Sequence, residues 1–217
     1  FLAACLHPKA QERVLDVGAG VGTASLSLAV RCPEVNITCL EIQPEMVELA
    51  MGNVQANDLT QYIEVLPGDV LAPPEALAPH SFDHVMTNPP YYEHDKSRPS
   101  SITTKAHSMT ETTDLEEWLK FCFKMLKPAG IFTMIHRPER LGEILACLES
   151  ANVGDIVIYP LWANAQKPAR RVIVQGKKGK RGSLVLLSGM TLHNGSEKYS
   201  PAAEDILRHA HPLTFKT

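Results

Sequence analysis

Short apolar runs alternate along the chain with stretches whose apolar residues recur every three or four positions, the pattern of strands feeding amphipathic helices. A buried strand is predicted over 13–17, closed by glycines, and a helix over 21–31 that stops before Pro33. The second strand covers 36–41, and Pro44 suits the first turn of a helix over 44–57. Strands follow over 62–66 and 82–87, then a long loop over 88–112, a helix over 114–126, a strand over 130–136 and a helix over 138–150. Beyond Asn152 the segments 155–160, 170–175 and 184–187 are β-rich with no helix between them, so consecutive strands there are expected to pair antiparallel. Helical crossovers make the rest of the sheet parallel and, by the right-handed rule, put helices on both faces. The expected architecture is α/β: a three-layer α/β/α sandwich on a mostly parallel seven-stranded sheet that ends in a C-terminal antiparallel hairpin.

A length of 217 residues suits one core, so 1–217 reads as a single domain, with 167–217 a basic hairpin and C-terminal extension. No run of apolar residues is long enough to span a membrane. The chain opens at Phe1 rather than Met, and the short, uncharged Leu2-Ala3-Ala4-Cys5-Leu6 does not make a signal peptide, so a preceding segment is expected. Five scattered cysteines without a C-x-x-C pair argue against a disulfide framework or structural zinc and point to a reducing cytoplasm. The histidines lack ligand spacing, and no metal is expected.

Candidate chemistry begins at Val14-Leu15-Asp16-Val17-Gly18-Ala19-Gly20-Val21-Gly22, between the first strand and the first helix. Glycines there let the backbone turn sharply and approach a ligand with no Cβ in the way. The spacing is G-x-G-x-G; the third glycine of the nicotinamide fingerprint would fall at Thr23. On its own such a turn also serves plain strand-to-helix packing. Three acidic positions favour a ligand. Asp16 stands just before the turn, where a carboxylate accepts from an ammonium group or from loop N–H groups. Glu41 closes the second strand, in place to take both hydroxyls of a ribose. In Gly68-Asp69-Val70, after the third strand, Asp69 is placed to accept from an adenine amino group. This order of elements, over residues 13–175, resembles the class I S-adenosylmethionine methyltransferases with their Rossmann-like fold. The resemblance implies S-adenosylmethionine as cofactor, held by Asp16, Gly18, Gly20, Gly22, Glu41, Asp69, Val70 and Asn88.

Asn88-Pro89-Pro90-Tyr91 ends the fourth strand and resembles the signature of methyltransferases that modify planar amino nitrogens: adenine N6, cytosine N4 or the glutamine amide. The resemblance implies catalytic roles for Asn88, Pro89, Pro90 and Tyr91. An exocyclic amine on adenine is a poor nucleophile because its lone pair is delocalised into the ring. Two acceptors, the Asn88 side-chain oxygen and the Pro89 carbonyl, suit its two N–H groups. The prolines fix φ and remove competing N–H donors, and Tyr91, or Tyr92 beside it, is placed to stack on an extruded base. Read bare, the stretch is also a Pro-stiffened turn. The loop after it, with Lys96, Arg98, Lys105 and His107, is long for a compact domain and reads as a segment that orders around substrate.

Seven of the 21 basic residues (Lys167, Arg170, Arg171, Lys177, Lys178, Lys180 and Arg181) fall within 167–181 with no acidic residue among them, so the other 14 face 24 acidic residues. Such asymmetry fits a phosphate-contacting edge and equally a solubilised hairpin. The whole chain resembles the bacterial tRNA (adenine-N6)-methyltransferase family that modifies the anticodon loop of a valine tRNA. The match lies in Val14 to Gly22, Glu41, Asn88 to Tyr91, segment 171–179, Leu192-His193 and Tyr199-Ser200-Pro201. It implies tRNA as the partner, with no membrane or protein partner, methyl transfer to adenine N6, and RNA contacts from Tyr92 and the seven basic residues. In that family, residues ahead of the first strand also line the cofactor pocket, which here means Phe1 to Leu6. A protein-glutamine N5-methyltransferase acting on a release factor shares the four-residue motif and stands as the alternative; a catalytically silent binding module is a third reading. Cys32, Cys39, Met46, Met51 and Met125 read as packing, and His136-Arg137 as a surface turn.

Overall fold

The computed structural model describes residues 1–90, 114–193 and 199–215. Their strands are β1 (Arg13–Val17), β2 (Asn36–Glu41), β3 (Ile63–Pro67), β4 (Phe82–Thr87), β5 (Leu126–His136), β6 (Val153–Trp162), β7 (Arg171–Lys178), β8 (Val185–Leu186) and β9 (Met190–Thr191). All belong to one sheet in the order β3-β2-β1-β4-β5-β7-β6-β8, with β9 also on β6. β1 to β5 pair parallel, and β7 runs antiparallel to both β5 and β6. The helices are α1 (Thr23–Arg31), α2 (Pro44–Ala56), α3 (Leu115–Met125), α4 (Leu141–Ser150) and α5 (Pro201–His209).

Successive side chains of a strand point to opposite faces, and this divides the core into layers. Leu15, Val17, Leu40, Val85, Phe132 and Met134 pack with Trp118 and Leu119 of α3 and Ile144 and Leu148 of α4. Val14, Ile37, Cys39 and Met86 pack on the other face with Leu28 of α1 and Val47 and Val54 of α2. Burying a side chain such as Phe132 or Leu15 contributes about 1.5–3 kcal/mol, so the alternation fixes the register as well as the layers. A third cluster joins Ala4 and Cys5 to Leu161, Ile173 and Ile206, which seats the opening residues against β6, β7 and α5. The chain is thus the expected three-layer α/β/α sandwich. Strand order reverses at β1, between β2 and β4, and opens a crevice at the carboxyl ends of β1 and β4.

Segment 184–187 differs from expectation. β8 does not pair antiparallel with the strand before it. After β7 ends beside Val153, the chain passes so close to Gly154 that a Cβ there would strike the Lys180 carbonyl. It then returns along the outer edge of β6, where β8 pairs parallel with Val157 and Ile158, and β9 with Leu161 and Trp162. β7 and β8 do run in opposite directions, but β6 lies between them. The sheet has nine strands among the described residues rather than seven; β8 falls within the expected segment 184–187, and β9 lies outside every expected strand. Helix α5 was also absent from the hydrophobic pattern: Ser200 Oγ accepts from the Ala203 N–H at 3.3 Å, and Pro201 fills the first helical position.

Candidate active site

β1 delivers the chain into a turn in which Gly18, Gly20 and Gly22 have φ of +70°, +56° and +81°. This left-handed region costs an ordinary residue about 1–2 kcal/mol and glycine almost nothing. A Cβ at Gly18 would also lie 2.9 Å from the Trp118 indole. Two cavities flank the turn. The first, about 220 Å³, is bounded by Gly18, Gly20, Glu41, Asp69, Val70, Asn88, Pro90 and Trp118. The second, about 510 Å³, is bounded by Asp16, Gly18, Gly20, Asn88, Ile135, the opening residues Phe1 to Ala4, and Ile206, Leu207 and Ala210 at the end of α5. Gly18, Gly20 and Asn88 belong to both walls.

Glu41 holds the turn in shape. Its Oε2 accepts from the Gly20 N–H at 2.8 Å, and its Oε1 from the N–H groups of Ile42 and Gln43 at 2.9 Å each. A carboxylate offers about four lone-pair sites, so some capacity is left for a ligand hydroxyl. Asp69 shapes the exit from β3, its Oδ1 accepting from the Leu71 N–H at 2.9 Å. Asp16 is buried behind the turn, where its Oδ2 accepts from Ser25 Oγ at 2.8 Å, and Cys39 Sγ lies 3.1 Å from that hydroxyl. Burial raises the Asp16 carboxyl from an ordinary 3.8 to about 6, opposed by the Ser25 hydrogen bonds and reinforced by the Glu41 charge. Burial likewise pushes the Cys39 thiol up to about 12, so it stays neutral. A buried carboxylate at the wall of a cavity, with a second one nearby, is suited to an ammonium group, while the first cavity offers acceptors and apolar walls to a nucleoside.

The structure gathers most of the expected cofactor residues. Asp16, Gly18, Gly20, Glu41, Asp69, Val70 and Asn88 line one or both cavities. Gly22 lines neither; it caps α1 and packs near Ala50. Asn88 is exposed at the end of β4, Pro89 behind it is buried, and Pro90 borders the first cavity. Tyr91, Tyr92 and the rest of the loop expected to order around substrate lie outside the described residues, as do Lys96, Arg98, Lys105 and His107. Sequence reasoning missed Trp118. Its Nε1 donates to Thr87 Oγ1 at 2.9 Å, and that hydroxyl donates to the Val17 carbonyl at 2.8 Å. The indole is thereby locked against the glycine turn. The residue is spaced as an ordinary core position of α3, and only the need of a buried indole N–H for an acceptor hints at more.

Register separates the basic segment. Met134 pairs with both Thr87 and Val174, so Arg171 lies toward the Asn88 end of the sheet, while Lys177 and Lys178 lie toward the other. The seven residue steps from Arg171 to Lys178 along the strand span about 23 Å. Lys167 and Arg170 precede Arg171 at the Asn88 end; Lys180 and Arg181 follow Lys178 around the start of β6. One continuous phosphate-contacting edge over 167–181 is therefore not what the fold makes. Lys178 is moreover engaged inside the fold: its Nζ donates to the Phe123 and Leu126 carbonyls at 2.5 and 2.9 Å, at the C-terminus of α3. His136 is not part of a surface turn either. It is buried on β5, and only Arg137 reaches half-exposure.

Among the described residues no three His, Cys, Asp or Glu side chains stand together as metal ligands would, and no helix is long and apolar enough to cross a membrane. Residues 1–113 match the family model described as the methyltransferase small domain. A relative from Tolumonas auensis named tRNA1(Val) (adenine(37)-N6)-methyltransferase is 30% identical over 177 residues, 81% of this chain and 67% of that protein. Relatives with the same name from Porphyromonas gingivalis and Bacteroides thetaiotaomicron are 29% and 27% identical, covering 61% and 96% of this chain. The chain spans between 52% and 88% of the length of these three proteins. A crystal structure from Agrobacterium tumefaciens, described as a predicted O-methyltransferase, superposes at a TM-score of 0.80 with 25% identity, covering 100% of this chain and 98% of the other. A Haemonchus contortus phosphoethanolamine N-methyltransferase bound to S-adenosyl-L-methionine shares the fold, at a TM-score of 0.60 and 13% identity over 80% of this chain and 50% of its own. With the family model covering more than half its length and the glycine turn, acidic strand ends and Asn88 converging on one crevice, the chain belongs to the methyltransferase small-domain family.

Proposed function

We propose that this chain transfers a methyl group from S-adenosylmethionine to the exocyclic N6 amine of an adenine in tRNA, without a metal. The relatives' names point to adenine 37 of tRNA1(Val), in the anticodon loop of a valine tRNA. The observation that carries the reading is the position of Asn88: it is exposed, it follows β4, and it stands in the wall between the two cavities. One cavity has the chemistry to hold a nucleoside, the other a cationic tail with room beside it for an extruded base.

When bound, S-adenosylmethionine supplies an electrophilic methyl group on a sulfonium. The chain's own residues do the rest. Asp16 takes the ammonium, Glu41 and Asp69 take ribose and adenine donors, and the Trp118 indole closes the floor beneath Gly18. Asn88 Oδ1 and the Pro89 carbonyl accept the two N–H groups of the target amine, which favours pyramidalisation and frees its lone pair. A hydroxyl brings only one proton to such a pair of acceptors, which favours an amine over an O-methylation substrate. Rigid placement of this kind is worth up to about 7–11 kcal/mol of barrier, so positioning rather than a strong base supplies the rate. All five cysteines are free, in keeping with the cytoplasmic location we propose for it.

Asn88→Ala tests the role directly. Methyl transfer is expected to fall at least ~10²-fold, with S-adenosylmethionine affinity by calorimetry nearly unchanged. Normal turnover by the variant would remove Asn88 from the mechanism.

A further inference from the structure

Asn88 stands between two unlike halves of the second cavity. It follows Thr87, which pairs with Val17 of β1 on one side and Met134 of β5 on the other. Gly18 and Ile135, the residues after those partners, line the cavity as Asn88 does. Beyond Gly18 the wall carries polar groups: Asp16 from β1, and Thr23, Ser27 and Arg31 from α1. Asp16 and Arg31 are the only charged side chains that line the cavity among the described residues. Beyond Ile135 the wall is apolar, made by Ile206, Leu207 and Ala210 at the end of α5. Ile135 packs in one cluster with Ile206, so this half is continuous. The methionine tail of the cofactor is a zwitterion and belongs on the polar side, because a charge set against hydrocarbon forfeits its solvation. The α5 side is left to a flat ring with an apolar face.

Leu207 is the uncovered residue of that half. Ala203, Ile206, Leu207 and Ala210 follow the i, i+3, i+4, i+7 spacing of a core-facing stripe. Ala203 and Ile206 are buried accordingly, yet Leu207 is 45% exposed. The wall that carries it is latched on both sides. Ser200 Oγ donates to the Thr191 carbonyl at 2.7 Å and ties the start of α5 to β9. After α5 the Leu213 N–H donates to the Ala4 carbonyl at 2.8 Å. The opening 3-10 turn over Ala3–Cys5 is held in its turn: Arg31 Nη2 donates to the Ala3 and Leu6 carbonyls at 2.7 and 2.6 Å, and Gln175 Nε2 to the Cys5 carbonyl at 3.1 Å. α5 lies beyond residues 1–113, the stretch that matches the small-domain family, so that match does not account for this wall. We propose that Leu207, backed by Ile206 and Ile135, is a substrate-contacting residue whose side chain packs on the face of the target adenine. An apolar contact of this kind holds the ring without reading its edges. α5 then sets the depth and tilt of the base, and Asn88 selects its amine.

The base seat rests on adenine in tRNA being the substrate, and the assay separates the two. Wild-type protein is first assayed for methyl transfer from S-adenosylmethionine into total tRNA, with N6-methyladenosine identified after nucleoside digestion. No such product would overturn the functional reading and the seat with it. Given that product, Leu207→Ala should lower kcat/KM for tRNA about tenfold, the scale of a lost apolar contact in a substrate pocket. Cofactor affinity by calorimetry and the melting temperature should stay at their wild-type values, because the leucine is already exposed in the free protein. Leu207→Met keeps the volume and the apolar character, so it should restore most of the activity. Leu186→Ala removes a leucine that is 66% exposed on β8 and lines neither cavity, and it should match wild type. Unchanged kcat/KM in Leu207→Ala, or an equal loss in Leu186→Ala, would overturn the proposal. So would a loss in Leu207→Ala matched by weaker cofactor binding or a lower melting temperature, which would make the residue part of the cofactor wall or of the packing of α5.

Discussion

Replacing Asp16 with Asn should stabilise the free protein while impairing cofactor binding. Asp16 is buried, and burial lifts its carboxyl from 3.8 to about 6. The folded chain therefore prefers the protonated acid. Below about pH 3.8 the group is protonated both folded and unfolded, and its relative contribution to stability is fully present. That contribution is lost as pH rises toward and through 6, where the native carboxylate ionises. At pH 8 the ionised group costs the fold about 3 kcal/mol, a gap of roughly two on the pH scale at about 1.4 kcal/mol each. Asn is close in shape, accepts the Ser25 hydroxyl as Asp does, and carries no charge. Asp16→Asn should then melt higher than wild type at pH 8, by up to roughly 6–12 °C for a chain of this size, and the two should converge near pH 4. Calorimetric titration should show the reverse for function: loss of a charge-assisted contact to the ammonium, worth about 1.5–3 kcal/mol, weakens S-adenosylmethionine binding by roughly 10–100-fold. A variant that melts at or below wild type at pH 8, or a gap that does not change with pH, would refute the burial argument. Unchanged cofactor affinity would refute the ammonium contact.

Gly18→Ala should lower stability by about 1–2 kcal/mol from its left-handed φ alone. Because its Cβ would press on Trp118 at 2.9 Å, the variant should also bind S-adenosylmethionine more weakly in the same calorimetric assay; wild-type affinity would mean the indole gives way without disturbing the cavity. Lys178→Met keeps the length of the stem but removes hydrogen bonds from a charged donor to the Phe123 and Leu126 carbonyls. Urea unfolding should record a loss of about 1–3 kcal/mol, while the KM for tRNA stays at the wild-type value. A raised KM with unchanged stability would return Lys178 to the RNA surface.

Much of this frame was legible because the strands carrying the site are buried and bounded by strong stops. β1, β2 and β4 fall at the predicted residues, each an apolar run ended by a glycine turn, an acidic residue and proline, or Asn-Pro-Pro. The cofactor residues were found for the same reason: strand ends are where polar residues interrupt apolar runs, and the parallel topology gathers those ends on one edge. What sequence hid was non-local. The direction of β8 depends on which strand lies between it and β7, and no local pattern records that. The division of the basic segment follows from β7 running antiparallel, which sends residues close in sequence to opposite ends of the sheet. Trp118 spaces like core because it is core; its role comes from the Gly18 turn across the crevice. α5 did carry a local cue, Ser200 followed by Pro201, but its short apolar stripe of Ala203 and Ile206 is too sparse to stand out.

The central claim is that Asn88 and the two cavities beside it direct methyl transfer to the amine of adenine in tRNA. Its most direct test is incorporation of label from radiolabelled S-adenosylmethionine into total tRNA from cells lacking this protein, followed by nucleoside digestion. The account predicts N6-methyladenosine as the labelled product. Label absent from tRNA but present on glutamine in a protein fraction would contradict it and move the activity to amide methylation.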